Sequence, residues 1–104
     1  MFGNNLLNVP RVSAAKIKDL IKTEKVKFLD VRTKEEYSKG ALVGAINIPV
    51  DQVAGKAEEF LPDKKEKIFV YCLSGSRSTF AVMTMKKLGY ENVYEVENGL
   101  LAMR

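Results

Sequence analysis

The chain has 104 residues, of which 46% are hydrophobic and 29% are charged, and it carries a net charge of +4. This size and composition predict one globular domain over residues 1–104, and no segment resembles a membrane span or a secretory signal. There is one cysteine and no histidine, which excludes Ser-His-Asp hydrolases, Cys-His proteases and histidine zinc sites, so neither a metal nor a cofactor is predicted.

The distribution of charge and the single cysteine indicate the partners and the compartment. Lysines alternate with acidic residues, as over residues 56–67, and no basic run is interleaved with aromatic residues. This pattern is typical of a solvated surface, so neither a nucleic acid nor a membrane is a predicted partner. One cysteine cannot form an intrachain disulfide, and a free thiol persists most easily in a reducing compartment, which predicts a cytoplasmic protein.

Strands and helices alternate through the first half of the sequence. A short edge strand is predicted over residues 7–12, and Ser13 is predicted to cap a helix whose apolar residues recur at helical spacing. Residues 25–31 have the apolar content of a buried strand, and Thr33 is predicted to cap a short helix that ends at Gly40.

The same alternation continues through the second half. The predicted elements are, in chain order, a strand over 45–48, a helix capped by Asp51 and ended by Pro62, a strand over 67–72, a helix over 79–88, a strand over 92–96 and a helical turn over 99–103. Such alternation predicts a parallel sheet that is covered by helices on both faces.

The single cysteine lies at the end of a predicted central strand. Cys72 begins a short polar loop, CLSGSRS, that leads into a helix. Ligands of parallel sheets bind at the carboxyl ends of strands, and the N–H groups of a helix N-terminus have no partners within the helix. The helix dipole contributes only about 0.3–1 kcal/mol, so stabilising a thiolate also requires the loop amides and a nearby cation. The loop therefore predicts a nucleophilic sulfur held as an anion.

The predicted site is centred on Cys72 as the nucleophile, with Arg77 as the anion-binding cation. The predicted donors of backbone N–H or hydroxyl groups are Leu73, Ser74, Gly75, Ser76 and Ser78. A lone cysteine after an apolar strand is more often an inert buried thiol, and a lone arginine is more often a surface charge. Their combination with glycine and three serines in one short loop favours a functional interpretation.

Three ordered blocks of the sequence resemble the single-domain rhodaneses. The first covers residues 29–37 (LDVRTKEEY) and 39–49 (KGALVGAINIP). The second is VYCLSGSRS at 70–78, and the third is LGYENVY at 88–94 followed by NGL at 98–100. The resemblance runs from Leu29 to the end of the chain, and its blocks are long and correctly spaced.

This resemblance implies a three-layer α/β/α domain on a five-stranded parallel sheet. It also implies a sulfurtransferase cycle, in which the thiolate of Cys72 takes the outer sulfur of thiosulfate or of a persulfide donor. The sulfur then passes to a thiophilic acceptor such as cyanide, a thiol or a protein partner that carries persulfides.

The sequence departs from the family pattern at two places. Gly40-Ala41-Leu42 stands where the family usually has Gly-His-Ile, and Asn98-Gly99 stands where it usually has two glycines. The second departure includes Met103, which stands where the family has a tryptophan a few residues after the glycines. Neither departure lies within the sequence of the Cys72 loop, and neither removes a base for the cysteine.

Asp30 and Arg32 belong to the first block and are predicted to be structural. The carboxylate of Asp30 is expected to accept N–H bonds from a turn and to line the site at most. Arg32 is expected to pair with Glu35 or Glu36, which follow it at short range.

Two alternative functions remain. The first is a non-catalytic rhodanese-like module that carries sulfur in a relay or docks a partner. The second is a cysteine-based phosphatase, a class whose similar loops have five residues between cysteine and arginine, whereas this chain has four. A phosphatase also needs an acid for the leaving group, and nothing singles out either candidate, Asp30 or Asp51.

Overall fold

The computed structural model describes residues 9–104 as alternating strands and helices. The strands are β1 (Arg11–Val12), β2 (Lys27–Asp30), β3 (Ile46–Asn47), β4 (Ile68–Tyr71) and β5 (Val93–Val96). The helices are α1 (Ala14–Leu20), α2 (Lys34–Ser38), α3 (Val53–Phe60), α4 (Ser76–Lys87) and α5 (Gly99–Met103), and a 3₁₀ turn (Val50–Gln52) precedes α3.

The five strands form one parallel sheet in the order β1-β5-β4-β2-β3. In the centre, Asp30 lies opposite Tyr71 and Val70 lies opposite Glu95. The carboxyl ends of β2, β4 and β5 therefore meet at one edge of the sheet, which is where such folds bind ligands. The predicted fold class, a three-layer α/β/α domain on a five-stranded parallel sheet, is confirmed.

Two hydrophobic clusters hold the layers together, one on each face of the sheet. The first contains Val70 and Cys72 with residues of α3 and α4, such as Ala57 and Met85. The second contains Phe69 with residues of α1 and α5, and Tyr37 of α2 packs against it. Every residue of β4 is buried, as expected for a central parallel strand covered on both faces.

The helix caps follow the local sequence. The side chain of Ser13 accepts a hydrogen bond from the N–H of Lys16, as predicted for the start of α1. Thr33 begins α2 with a capping box, in which its hydroxyl accepts from the N–H of Glu36 while the Glu36 carboxylate accepts from the N–H of Thr33. Two orphan N–H groups are thereby satisfied.

Several predicted boundaries differ from the structure. The first strand covers Arg11–Val12, and residues 7–8 of the prediction lie outside the described residues. Asp51 is not a cap, because the chain first makes a 3₁₀ turn and α3 follows Gln52. Helix α4 begins at Ser76 rather than at residue 79, because Gly75 turns the chain with φ 130°, a conformation that favours glycine.

Within residues 9–104, none of the helices has the length and apolarity that a membrane span requires.

Candidate active site

Cys72 follows the last residue of β4 and lies under the loop that leads into α4. The N–H of Gly75 donates to Cys72 Sγ at 3.0 Å, and the thiol lies 3.5 Å from Ser78 Oγ. Cys72 is 1% exposed. Among the predicted donors, the structure therefore brings Gly75 and Ser78 to the sulfur, while Leu73, Ser74 and Ser76 lie on the exposed side of the same loop.

Arg77 lies in the first turn of α4, and Glu36 holds its guanidinium. Nη1 donates to Glu36 Oε1 at 2.6 Å and Nη2 donates to Oε2 at 3.1 Å. The hydrogen bonds from Arg77, and then that from Thr33, lower the pKa of Glu36 to about 2. The bond to Glu36 raises the pKa of Arg77, with a smaller effect from Cys72, so this cation lies within electrostatic reach of the sulfur. The anion-binding cation of the prediction thus has a carboxylate partner already.

Asp30 and Arg32 form a buried pair at the end of β2. The Asp30 carboxylate accepts from the N–H of Arg32 at 2.9 Å and from its guanidinium, with Nη2 at 2.7 Å. Arg32 Nη2 also donates to the carbonyl of Gly40, and the guanidinium lies 5.9 Å from the ring centroid of Tyr71. The expected turn bond to Asp30 is present. The expected pairing of Arg32 with Glu35 or Glu36 is wrong, because the adjacent carboxylate of Asp30 is buried and accepts hydrogen bonds from both Nε and Nη2 of the guanidinium.

The N-terminus of α5 packs against the backbone of the Cys72 loop. The N–H of Leu100 donates to the carbonyl of Cys72 at 2.9 Å. Gly99 lies so close that a Cβ there would be 2.6 Å from that carbonyl oxygen and 2.5 Å from the one of Leu73. Asn98 has φ 61°, a left-handed conformation that asparagine adopts more readily than most residues other than glycine. The N-terminus of α5 is therefore held against the Cys72 loop by close backbone packing.

Glu95 is a buried carboxylate that the sequence analysis missed. It lies in β5, is 2% exposed, and accepts from Ser78 Oγ at 2.5 Å and from Thr79 Oγ1 at 2.8 Å. Its other oxygen, Oε1, lies 2.8 Å from Arg11 Nε on the neighbouring strand. A sequence signal was present, since a glutamate inside VYEV is unusual for a strand that is buried on both faces.

A cavity of about 210 Å³ lies beside the loop, and its lining includes Ser74, Gly75 and Glu95. A larger cavity of about 530 Å³ is lined by Lys27, Ile46 and other residues near the amino ends of strands, so it lies at the other edge of the sheet. Of these two cavities, the smaller one adjoins the Cys72 loop through Ser74 and Gly75. Within residues 9–104, no group of three or more His, Cys, Asp or Glu side chains is placed to hold a metal ion.

A cysteine at a strand end, under a glycine- and serine-rich loop that opens a helix, is the arrangement implied by the sequence blocks. The rhodanese-like domain family matches residues 13–104. The chain belongs to this family. The predicted family is therefore confirmed over the greater part of the sequence.

Relatives of this rhodanese-like chain carry different names. A putative sulfur carrier protein of Bacillus subtilis, YrkF, is 35% identical over 94% of the chain and 52% of its own length. A tRNA uridine(34) hydroxylase of Erwinia tasmaniensis is 33% identical over 86% of the chain and 27% of its own length. The thiosulfate sulfurtransferase PspE of Escherichia coli is 36% identical over 64% of each protein. The chain covers less than two thirds of each of these relatives.

A solved structure shares the rhodanese-like fold. The rhodanese-related protein of Thermoplasma volcanium matches with a TM-score of 0.79 and 32% sequence identity, over 90% of this chain and 89% of that one. The match extends to nearly the whole length of both chains, so the layer arrangement around Cys72 is that of the family.

Proposed function

We propose that residues 1–104 act as one sulfurtransferase domain that carries sulfane sulfur as a persulfide on Cys72. The observation that supports it best is the contact of Cys72 Sγ with the N–H of Gly75 at 3.0 Å, at a strand end that leads into a helix. An N–H group aimed at sulfur favours its anionic form, and the first turn of α4 adds positive potential. Membership of the rhodanese-like family agrees with this chemistry.

The cycle has two displacement steps. The Cys72 thiolate attacks the outer sulfur of thiosulfate, a sulfur–sulfur bond forms, and the sulfur–sulfur bond of the donor breaks. Sulfite leaves with the electron pair, and the enzyme holds a persulfide whose terminal sulfur is negatively charged. A thiolate or cyanide then attacks that terminal sulfur, and the Cys72 thiolate is regenerated.

A persulfide donor is favoured over thiosulfate by the charges near the loop. Arg77 is paired with Glu36, and Arg32 is paired with Asp30. These two guanidinium groups therefore offer little net charge to a dianion such as thiosulfate. A persulfide donor carries less charge and needs less compensation, so we propose that a persulfide on a thiol, including one on a protein partner, is the better donor.

A relay role is the second candidate function. In a relay, the protein accepts sulfur and hands it on without a fast thiosulfate reaction. The burial of Cys72 supports this candidate, because a thiol that is 1% exposed is protected from non-specific oxidation and alkylation. A free thiol of this kind agrees with a reducing compartment, and we propose a cytoplasmic location.

The phosphatase alternative has little support. Asp30 is committed to a bidentate pair with Arg32, and Asp51 lies exposed in the turn before α3. Neither is free beside the sulfur to protonate a leaving group. Absence of aryl phosphate hydrolysis is the expected result, and hydrolysis that disappears in Cys72→Ser would reinstate this alternative.

The test is intact mass spectrometry after incubation with thiosulfate or with a small-molecule persulfide. The wild type is expected to gain the mass of one sulfur atom, which a thiol reductant removes, and Cys72→Ser is expected to gain none. A gain from the persulfide alone indicates relay duty, and a gain from both indicates a general sulfurtransferase. No gain from either donor would exclude the proposed function.

A further inference from the structure

A buried carboxylate lies one hydroxyl group away from the nucleophile. Ser78 Oγ lies 3.5 Å from Cys72 Sγ and donates to Glu95 Oε2 at 2.5 Å. Ser78 is fully buried and Glu95 is 2% exposed. Sulfur, hydroxyl and carboxylate thus form a continuous chain of contacts inside the protein.

We propose that Glu95 accepts, through Ser78, the proton that Cys72 releases when its thiol becomes a nucleophile. This inference rests on the proposed role of Cys72 as the sulfur carrier. Glu95 does not touch the sulfur, so its role is that of a proton acceptor acting through a positioned hydroxyl.

The transfer is balanced within the protein. The thiol proton of Cys72 passes to Ser78 Oγ while the hydroxyl proton of Ser78 passes to Glu95 Oε2. The S–H bond and the original O–H bond of Ser78 break, and new O–H bonds form on Ser78 and on Glu95. The products are a thiolate, an unchanged hydroxyl group and a neutral carboxylic acid.

The hydroxyl proton of Ser78 has two acceptors within reach. One is the carbonyl of Gly75 at 3.0 Å and the other is the carboxylate of Glu95. An ionised acceptor forms the stronger hydrogen bond, so the proton of Ser78 is directed toward Glu95. The lone pairs of Ser78 Oγ then remain available to the thiol of Cys72.

The transfer also solves an electrostatic problem. Removing the Cys72 proton to solvent would leave a thiolate and a carboxylate close together in a buried region, and like charges disfavour each other's ionised form. Moving the proton to Glu95 relocates one negative charge instead of creating a second one. The chain contains no histidine that could serve as the usual base.

Other charged groups surround this chain of contacts on every packed element. They are Arg11 of β1, Glu97 after β5, Arg77 of α4, Glu36 of α2, and Asp30 and Arg32 at the end of β2. The last four cancel as two ion pairs. Arg11, with Nε 2.8 Å from Glu95 Oε1, remains as a nearby cation when the negative charge moves to the sulfur.

The experiment measures the thiolate of Cys72 directly by its ultraviolet absorbance, with Cys72→Ser subtracted, from about pH 5 to about pH 9. The variants are Glu95→Gln, Ser78→Ala and the double variant, and Glu97→Gln is the matched control. Glu97 lines the same cavity but has no hydrogen bond to Ser78. Circular dichroism establishes that each variant is folded.

The expected result is a smaller thiolate fraction at acidic pH in both single variants. At about pH 6.5 the fraction is expected to fall about tenfold in Glu95→Gln and in Ser78→Ala, and rates of alkylation to fall in parallel. The double variant is expected to match the single variants, because the two groups act in series. Glu97→Gln is expected to follow the wild type.

A change of the thiolate fraction in the opposite direction overturns the inference. If Glu95 acts only as a nearby negative charge, Glu95→Gln raises the thiolate fraction. An unchanged thiolate fraction in the single variants also overturns the inference. So does a double variant whose decrease is the sum of the two single decreases. Should one variant not fold, the other still tests the chain of contacts. The absorbance does not depend on sulfur transfer, so it is separate from the persulfide test, whose failure would count against the proposed function instead.

Discussion

The backbone of Gly99 lies directly against the carbonyl oxygen of Cys72. A Cβ at position 99 would lie 2.6 Å from that oxygen, and the φ of Gly99 is 62°. No side chain fits there without moving the backbone of Cys72 and Leu73 or that of α5. Helix α5 and the Cys72 loop therefore hold each other in place.

Replacing Gly99 with alanine is expected to damage both stability and activity. The free energy of unfolding should fall by about 2 kcal/mol, because the added Cβ collides with backbone and the backbone angle is unfavourable for alanine. Urea denaturation measures the loss, and the rate of persulfide formation should fall as well.

Gly55→Ala is the matched control. Gly55 has open space around it in α3, so alanine there should stabilise by about 0.5–1 kcal/mol. Equal effects of the two substitutions would contradict the packing argument.

The Glu36–Arg77 pair should make stability depend on acidic pH. Its hydrogen bonds lower the pKa of Glu36 to about 2, well below the ordinary value of a glutamate carboxyl group. A depressed carboxyl pKa contributes stability that is present above the unfolded value and is lost as pH falls through the folded value. The difference in unfolding free energy between wild type and Glu36→Gln should therefore shrink between about pH 5 and about pH 2.

The measurement for Glu36 is urea denaturation at several acidic pH values. Glu35→Gln is the control, because Glu35 lies exposed in the same turn of α2 and is not bonded to Arg77. Its difference from wild type should stay nearly constant across this range. A Glu36→Gln difference that grows with falling pH would have the wrong sign for the ion pair.

The Glu36–Arg77 pair should also determine how well the protein binds thiosulfate. Glu36→Gln removes the carboxylate that occupies Arg77, so the guanidinium becomes available to a dianion. The KM for thiosulfate is expected to fall by a factor of about three to ten, with a smaller change for a persulfide donor. Thiosulfate:cyanide kinetics measure this effect.

Arg77→Gln provides the complementary variant. The KM for thiosulfate should rise, and the benefit of Glu36→Gln should vanish when both substitutions are present, because the benefit acts through Arg77. A benefit that survives in the double variant would show that Glu36 acts on the donor without Arg77.

The buried pair of Asp30 and Arg32 is expected to contribute strongly to stability once formed. Asp30→Asn leaves a guanidinium that is 5% exposed without its counter-charge, and the free energy of unfolding should fall by about 3 kcal/mol. Adding Arg32→Met should recover part of the loss, because the unpaired charge is then removed as well. Thermal and urea denaturation measure the loss in Asp30→Asn and the recovery in the double variant.

The control for this pair is an exposed one. Asp19 and Lys22 lie 3.6 Å apart with side chains that are 81% and 74% exposed, so Asp19→Asn should change stability by less than about 0.5 kcal/mol. A similar effect of Asp19→Asn and Asp30→Asn would mean that burial does not govern these charges.

The features that could be predicted from the sequence are local ones. The Thr33 capping box and the Cys72 loop involve neighbouring residues, so their patterns are visible along the chain. Gly75 is a further example, because it lies three residues from the sulfur it contacts. The predicted start of α4 lies three residues too late, because serines favour caps and turns. In the structure the backbone of Gly75 makes the turn, so Ser76 and Ser78 lie within the helix.

The features that were missed join distant parts of the chain. Arg77 and Glu36 are 41 residues apart, and Ser78 and Glu95 are 17 apart. Arg32 was assigned the wrong partner because sequence proximity does not reveal which carboxylate is buried. Gly99 was recognised only as part of a motif, since its approach to the Cys72 carbonyl depends on how α5 meets the sheet.

By itself, the sequence determined the alternation of strands and helices, the family and the position of the Cys72 loop, because hydrophobic periodicity and loop motifs lie in consecutive residues. Only the tertiary structure decided which charges neutralise each other and which carboxylate contacts the hydroxyl group beside the sulfur. The parallel sheet brings β1, β4 and β5 side by side, and the side chains that then meet in a buried region are selected by geometry and desolvation, which depend on position in space and not on distance along the chain.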